Sequence, residues 1–258
     1  MNNYTFEEWR EYYLLHASSA TFRKKVNKAR EAIANFLDLG IKSYVSVSGG
    51  KDSTAMMHLV WQTDASVAVM SEKDDMDFPG ELEYMHKLQQ LYNLNLTIIQ
   101  PDVSLWDIVK KFDFTEDIHS RGTEFSDEFF YGLIEEFQYK NNYKAVFLGL
   151  RAEESKGRMH NYAINRSIYY NESERHLVCQ PIATWTGIDV MAYLFENEVP
   201  ILDVYFKTKF VLAPHEIRKS WALPSHQSSK GQALWLKYYY PEIFQKLAVI
   251  NPKIRSYV

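Results

Sequence analysis

A chain of 258 residues, 46% hydrophobic and 24% charged, is long enough to bury a large core as one domain, or as one domain with an appendage. A net charge of −4 and a pI near 6.1 lack the basic excess of a duplex-binding surface, so the totals do not favour nucleic acid, although a local basic patch fits within such an average. One cysteine, Cys179, excludes an intrachain disulfide and any cysteine-rich zinc or iron–sulfur site.

From about Phe6 to Leu39 the apolar positions Trp9, Tyr12, Leu15, Val26, Ala29, Ile33 and Phe36 predict helix, stopped by Gly40. Met1-Asn2-Asn3-Tyr4 lacks a basic region leading into an apolar run, and no apolar stretch approaches the roughly 18 residues that span a bilayer. These features predict a cytoplasmic protein without a membrane segment. Ser43–Val47 reads as a strand, followed by two glycines and a helix over about Ser53 to Trp61. Ala65–Met70 is a second strand, and an acidic loop with Glu72, Asp74, Asp75 and Asp77 closes on Phe78-Pro79-Gly80. A helix over Glu81–Tyr92, a strand over Leu94–Ile99, and amphipathic pieces over Trp106–Lys111 and Asp127–Tyr139 come next. Lys144–Leu148 is a fourth strand ended by Gly149, His176–Cys179 a fifth, and helix resumes after Asp189 through Phe195.

Strands alternating with helices predict an α/β fold with a mostly parallel twisted sheet flanked by helices on both faces, a helical N-terminus and a partly irregular C-terminal tail. The expected organisation is a helical segment over 1–40, a nucleotide-binding domain over 41–205, and a tail or lid over 206–258 packed on the same domain.

The strand–loop–helix at Ser48-Gly49-Gly50-Lys51-Asp52-Ser53 is a phosphate-binding candidate. Paired glycines let backbone amides turn inward, and the following helix adds unpaired N–H groups and partial positive charge. Lys51 supplies a mobile cation, and Ser48 and Ser53 supply hydroxyls. Asp52 either holds Mg²⁺ or braces the turn. The spacing differs from Walker A.

This loop resembles the PP-loop of the ATP pyrophosphatase superfamily, in the branch containing phosphoadenylyl-sulfate (PAPS) reductases, the small subunit of sulfate adenylyltransferase and FAD synthetases. Asp77-Phe78-Pro79-Gly80-Glu81 resembles the family's Phe-Pro-Glu-Thr region. Gly149-Leu150-Arg151-Ala152-Glu153-Glu154-Ser155 with Arg158 resembles its Gly-x-Arg-x-x-Glu-Ser segment, and Pro181 to Trp185 with Asp189-Val190 its Pro-x-x-x-Trp-x-x-x-Asp-Val signature. The resemblance covers about residues 40 to 205. It implies an adenine nucleotide alpha-hydrolase-like fold with ATP and Mg²⁺ as ligands.

Gly149 ends a strand at the binding edge, and Arg151 and Arg158 offer two guanidinium forks for anionic oxygens. Glu154 could orient an arginine or help hold a metal, and Ser155 could donate to an oxyanion. A solvated helix start with Glu154 and Arg158 as an i,i+4 pair is the alternative. Asp74, Asp75 and Asp77 form a solvated loop, or, as the resemblance implies, Asp77 touches ribose or a cation. Trp185 and Asp189 are expected on one helix face, Trp185 as core and Asp189 as either a first-turn residue or a ligand. His58 and His86 serve packing or the surface. His215, Arg218, Lys219, Trp221, His226, Ser228, Ser229 and Lys230 could form an anion-closing lid, a single-strand-binding surface or an ordinary surface.

Three chemistries compete. In nucleotidyl transfer, Lys51, Arg151 and Arg158 act as catalytic residues while Mg-ATP is cleaved between the α and β phosphates; the acceptor is open among sulfate, a flavin-like phosphate, a nucleobase and a carboxylate, the two arginines slightly favouring an anionic one. Reduction of a sulfonucleotide needs the C-terminal Glu-Cys-Gly-(Ile/Leu)-His cysteine of the resembling reductases, a segment absent here, unless a partner supplies the thiol. A non-catalytic nucleotide-binding subunit is the third. A homo-oligomer or partner protein could cover the aromatic-rich ends.

Overall fold

In the structure, a computed structural model, residues 4–111, 131–210, 213–219 and 231–258 are described. The single expected N-terminal helix is two: α1 (Phe6–Ala17) and α2 (Ala20–Leu37). The break lies at Ser18-Ser19, because Ser19 leaves the helical region and its side chain accepts from the Phe22 amide as the cap of α2. Thr5 and Glu8 close a capping box on α1. Phe22, Val26, Ala29, Ile33 and Phe36, three or four residues apart, form the buried stripe of α2.

The described strands are β1 (Ser43–Ser46), β2 (Ala68–Glu72), β3 (Leu96–Ile99), β4 (Ala145–Leu148), β5 (Ile168–Asn171) and β6 (His176–Cys179), in sheet order β3-β2-β1-β4-β6-β5. β1 pairs in parallel with both β2 and β4, so strand order reverses direction beside β1. That reversal leaves a crevice at the carboxyl ends of β1 and β4, where open α/β sheets bind ligands. Tyr44, Val45, Val146 and Phe147 are buried, as expected of central strands covered on both faces. β5 was not anticipated. It runs antiparallel to β6, after which Asn171 Oδ1 accepts from the Ser173 amide and hydroxyl to start the turn. The expected mostly parallel sheet therefore ends in one antiparallel edge strand.

The helices following the strands are α3 (Lys51–Thr63), α4 (Glu81–Tyr92), α5 (Leu105–Lys111), α6 (Gly132–Asn141), α7 (Lys156–Asn165) and α8 (Gly187–Glu196). The first residues of the expected 127–139 piece lie outside the described residues. Trp185 precedes α8 rather than sharing its face. Thr186 is the cap and Asp189 the third helical residue, and the two form a capping box.

Contacts divide the chain into two compact units: Met1–Glu72 with Gly80–Ile98 and Gln138–Leu202, and Lys73–Pro79 with Ile99–Phe137 and Asp203–Val258. The first holds β1, β2, β4, β5 and β6. In the second, the tail is more regular than its sequence pattern, with α9 (Ala233–Tyr239) and α10 (Pro241–Ile250) following the 3-10 turns Asp203–Phe206 and Pro214–Glu216. Trp235, Leu236, Phe244, Leu247 and Ile254 are its buried apolar residues, and the Phe78 ring lies 4.6 Å from that of Tyr240. No helix of the described residues is long and apolar enough to cross a membrane.

Candidate functional site

The loop from Ser48 to Gly50 leaves β1 and enters α3 at the switch in strand order. Gly49 has φ +82°, a left-handed conformation that any other residue would strain. Gly50 caps α3 in an extended conformation and brings no side chain to the first-turn amides. Those N–H groups, with the positive end of the helix dipole, are suited to an anion. The hydroxyls knit the turn. Ser48 Oγ and Ser53 Oγ are 3.1 Å apart, the Gly50 amide donates to Ser48 Oγ at 3.3 Å, and Ser53 Oγ donates to the Gly50 carbonyl at 3.1 Å.

Gly149, just beyond β4, is pressed against this turn. A Cβ at that position would stand 2.6 Å from Ser53 Cα and 2.8 Å from Ser53 N. The two strand ends therefore interlock through backbone, and only glycine fits.

Lys51, expected as a mobile cation, is buried, with Nζ 3.1 Å from Asp52 Oδ2. Burial lowers its pKa and Arg151 adds to the effect, while Asp52 opposes it. Asp52 Oδ1 also accepts from Arg151 Nε at 2.5 Å. Its carboxylate is thus flanked by two cations and, in this arrangement, braces the loop rather than presenting itself to Mg²⁺. Among the described residues no group of three or more histidine, cysteine, aspartate or glutamate side chains could hold a metal ion.

Arg151 sits 6% exposed at the centre of this network. Its Nη1 pairs with Glu153. Burial works against its charge, but Asp52, Glu154 and Glu153 outweigh that and raise its pKa. Glu154 accepts from the Arg151 amide at 2.9 Å and pairs with Arg158 Nη1. The i,i+4 pair of Glu154 and Arg158 therefore forms, and Glu154 orients both arginines. Ser155 caps α7, its oxygen accepting from the Arg158 amide at 3.1 Å, which leaves its O–H to donate.

Ser48, Gly49, Gly50, Lys51, Asp52, Ser53, Gly149, Arg151, Glu154 and Arg158 are thus drawn together by two loops that are a hundred residues apart in sequence. Glu153 is a member that sequence reasoning missed. It bridges Arg151 to the Gly187 amide at the start of α8, at 2.7 Å, and one glutamate beside another carries no signal of that contact. Ser71 was missed too. Its hydroxyl is fully buried in β2 and has no hydrogen-bond partner among the described residues.

The remaining candidates are placed elsewhere. Asp189 is buried and accepts from Lys25 Nζ (2.5 Å), His16 Nε2 (2.8 Å) and the Thr186 amide (2.6 Å). Burial alone would raise its pKa, but those partners hold it low. It ties α1 and α2 to the start of α8. Trp185 is core. His58 is buried beside Trp61, Tyr92 and Tyr193, with Nδ1 2.8 Å from Tyr193 Oη, and burial together with Arg30 pushes its pKa down to about 4. Cys179 is fully buried and its pKa is pushed up by burial, far from a thiolate.

In the second unit, Asp77 pairs with Lys73 (3.1 Å) and Lys219 (3.3 Å). Asp75 accepts from Ser104 Oγ (2.5 Å) and the Leu105 amide (2.9 Å), and so caps α5. Asp74 accepts from the Met76 amide (2.7 Å), and burial, with the charge of Asp77, raises its pKa. Of the tail candidates, Trp221, His226, Ser228, Ser229 and Lys230 lie outside the described residues.

Comparison with known proteins bears on the family and the fold. The phosphoadenosine phosphosulfate reductase domain family matches residues 42–241. An uncharacterised protein of Methanocaldococcus jannaschii is 24% identical over 206 residues, covering 78% of this chain, which spans only 45% of that relative. Among solved structures, the PAPS reductase of Candida auris in its phosphate complex superposes with a TM-score of 0.54 at 17% identity, covering 78% of this chain and 91% of that one. The Candida glabrata FMN adenylyltransferase in complex with ATP superposes with a TM-score of 0.53 at 15% identity, covering 76% and 64%. At these identities the structural likeness speaks for the fold. The family match spans well over half of the chain, which therefore belongs to the phosphoadenosine phosphosulfate reductase domain family of the PP-loop, adenine nucleotide alpha-hydrolase superfamily.

Proposed function

We propose that the chain binds ATP at the loop of Ser48 to Ser53 and transfers its adenylyl group to an anionic acceptor, with pyrophosphate leaving. The carrying observation is the convergence of Lys51, Arg151 and the uncapped first turn of α3 at one sheet switch point, with the sequence's only thiol, Cys179, buried in β6. Transfer at the α-phosphorus requires no protein nucleophile. Positioning and charge neutralisation suffice, and a buried lysine and arginine in a low-dielectric site provide both.

In this reading the loop amides and the Ser48 hydroxyl hold the departing phosphates. Lys51 exchanges Asp52 for a phosphate oxygen. Arg151, held at Nε by Asp52, turns its outer nitrogens from Glu153 to the ligand. Arg158, the more exposed fork, meets the acceptor. Mg²⁺, which would neutralise phosphate charge when bound, fits better on the nucleotide's own oxygens than on Asp52 as now paired.

Calorimetric titration with Mg-ATP and with adenosine 3′,5′-bisphosphate, with assay of the ATP sample for AMP and pyrophosphate, tests this. ATP binding with pyrophosphate release supports adenylyl transfer. Preferential binding of the bisphosphate with ATP left intact overturns it, in favour of a sulfonucleotide pocket whose thiol comes from a partner. The family match supports that second reading.

A further inference from the structure

The charge of the chain is unevenly distributed. Residues 203–258 carry nine lysines and arginines against three aspartates and glutamates, whereas the whole chain carries 29 against 33. In the second unit, part of this excess meets aromatic rings, of which Tyr238 is exposed and Tyr239 and Tyr240 are half-buried. Lys209 Nζ lies 4.0 Å from the centroid of Tyr238, and Lys207 Nζ lies 5.7 Å from those of Tyr239 and Tyr240. Tyr238 is 53% exposed and stands edge-on to Tyr239 at 4.9 Å and to Phe210 at 5.5 Å.

The arrangement is built rather than incidental. Tyr239 Oη accepts from the Lys209 amide at 3.0 Å, and Trp235 Nε1 donates to the Lys207 carbonyl at 2.6 Å, so α9 anchors the segment that carries both lysines. Phe210 is held at φ +72°, a left-handed conformation that a phenylalanine seldom adopts unless its surroundings enforce it. Lys207 is paired with Asp203, but among the described residues no carboxylate neutralises Lys209 or Lys237.

We infer that the face formed by Lys207, Lys209, Phe210, Tyr238 and Tyr239 binds single-stranded nucleic acid. Lysines left without carboxylates attract the phosphate chain, and an exposed ring offers a stacking surface to an unpaired base. A duplex keeps its bases stacked and cannot use the ring. A purely electrostatic partner, such as an acidic protein, needs no aromatic contact. The face shares no residue with the proposed ATP site, so either reading can fail alone.

The test is fluorescence anisotropy of labelled single-stranded RNA and DNA 20-mers, a DNA duplex and heparin against the full chain and its variants over a salt series. Expected are single-strand binding that weakens steeply with salt, an affinity loss of about fivefold or more in Tyr238→Ala, and near-native binding in Tyr238→Phe. Lys209→Gln should lower both affinity and salt slope. Circular dichroism and thermal unfolding of each variant report whether it is folded. Absence of single-strand binding at low salt overturns the inference. So does binding of duplex or heparin as tight as that of single strands with Tyr238→Ala indifferent, which would assign the face to polyanions in general.

Discussion

Arg151 Nε lies 2.5 Å from Asp52 Oδ1, so the loop after β4 is bonded to the first turn of the helix after β1. The pair sits where strand order reverses, and it fixes an otherwise flexible guanidinium beside the helix N-terminus.

Breaking that pair from the acidic side should be costly. Asp52→Asn leaves Arg151 largely buried beside a neutral amide, and the loss of a charged hydrogen bond predicts about 1.5–3 kcal/mol of destabilisation. Urea unfolding measures it directly, and an unchanged midpoint would show that the brace contributes nothing. Arg151→Lys keeps the charge but loses the fork, so nucleotide affinity measured by calorimetry should fall about tenfold or more.

Gly149→Ala tests the interlock of the two loops. Its methyl would stand 2.6 Å from a backbone carbon of Ser53, which no side-chain rotation can relieve. Overpacking of this kind costs about 1–3 kcal/mol, and here the displaced element is the candidate phosphate loop. Both the denaturation midpoint and ATP affinity should therefore drop. A variant with native ATP affinity would dissociate this contact from the site.

His58 should make the protein acid-sensitive in a defined window. Its folded pKa of about 4 lies below the ordinary 6.5, so the neutral ring is the form that the fold favours. Its contribution is complete above pH 6.5 and is lost as pH falls from 6.5 through about 4, by roughly 3 kcal/mol at most. Denaturant midpoints of the native protein and His58→Phe across that range measure the difference. Equal acid dependence in both would place the sensitivity elsewhere.

Cys179 should be inert in the native state. A thiol-reactive reagent should modify it only on unfolding, and Cys179→Ala should leave nucleotide binding and pyrophosphate release unchanged. Loss of turnover in a stably folded Cys179→Ala protein would return the thiol to the chemistry.

What could be read without coordinates was local. Ser48 to Ser53 mark a candidate phosphate loop because glycine freedom, a helix start and a lysine are consecutive in the chain. The strands β1, β2, β3, β4 and β6 show as short β-branched and aromatic runs. The stripe of α2 shows in its spacing, whereas the break at Ser18-Ser19 was obscured by apolar residues continuing on either side. β5 escaped because four residues paired with a neighbour carry little pattern of their own, and the regular tail escaped because α9 and α10 are short.

Sequence by itself determined the family, the sheet's alternating construction and the position of the candidate loop, since each rests on residues adjacent in the chain or on a fixed period. Tertiary structure alone decided what those charges do. It spent Asp52 on Arg151 and Lys51, set Glu153 between Arg151 and the start of α8, turned Asp189 into a tie between helices and buried Cys179 in β6. The physical reason is that a charge's role is set by its neighbours in space, and here those neighbours come from strands and helices far apart in the chain.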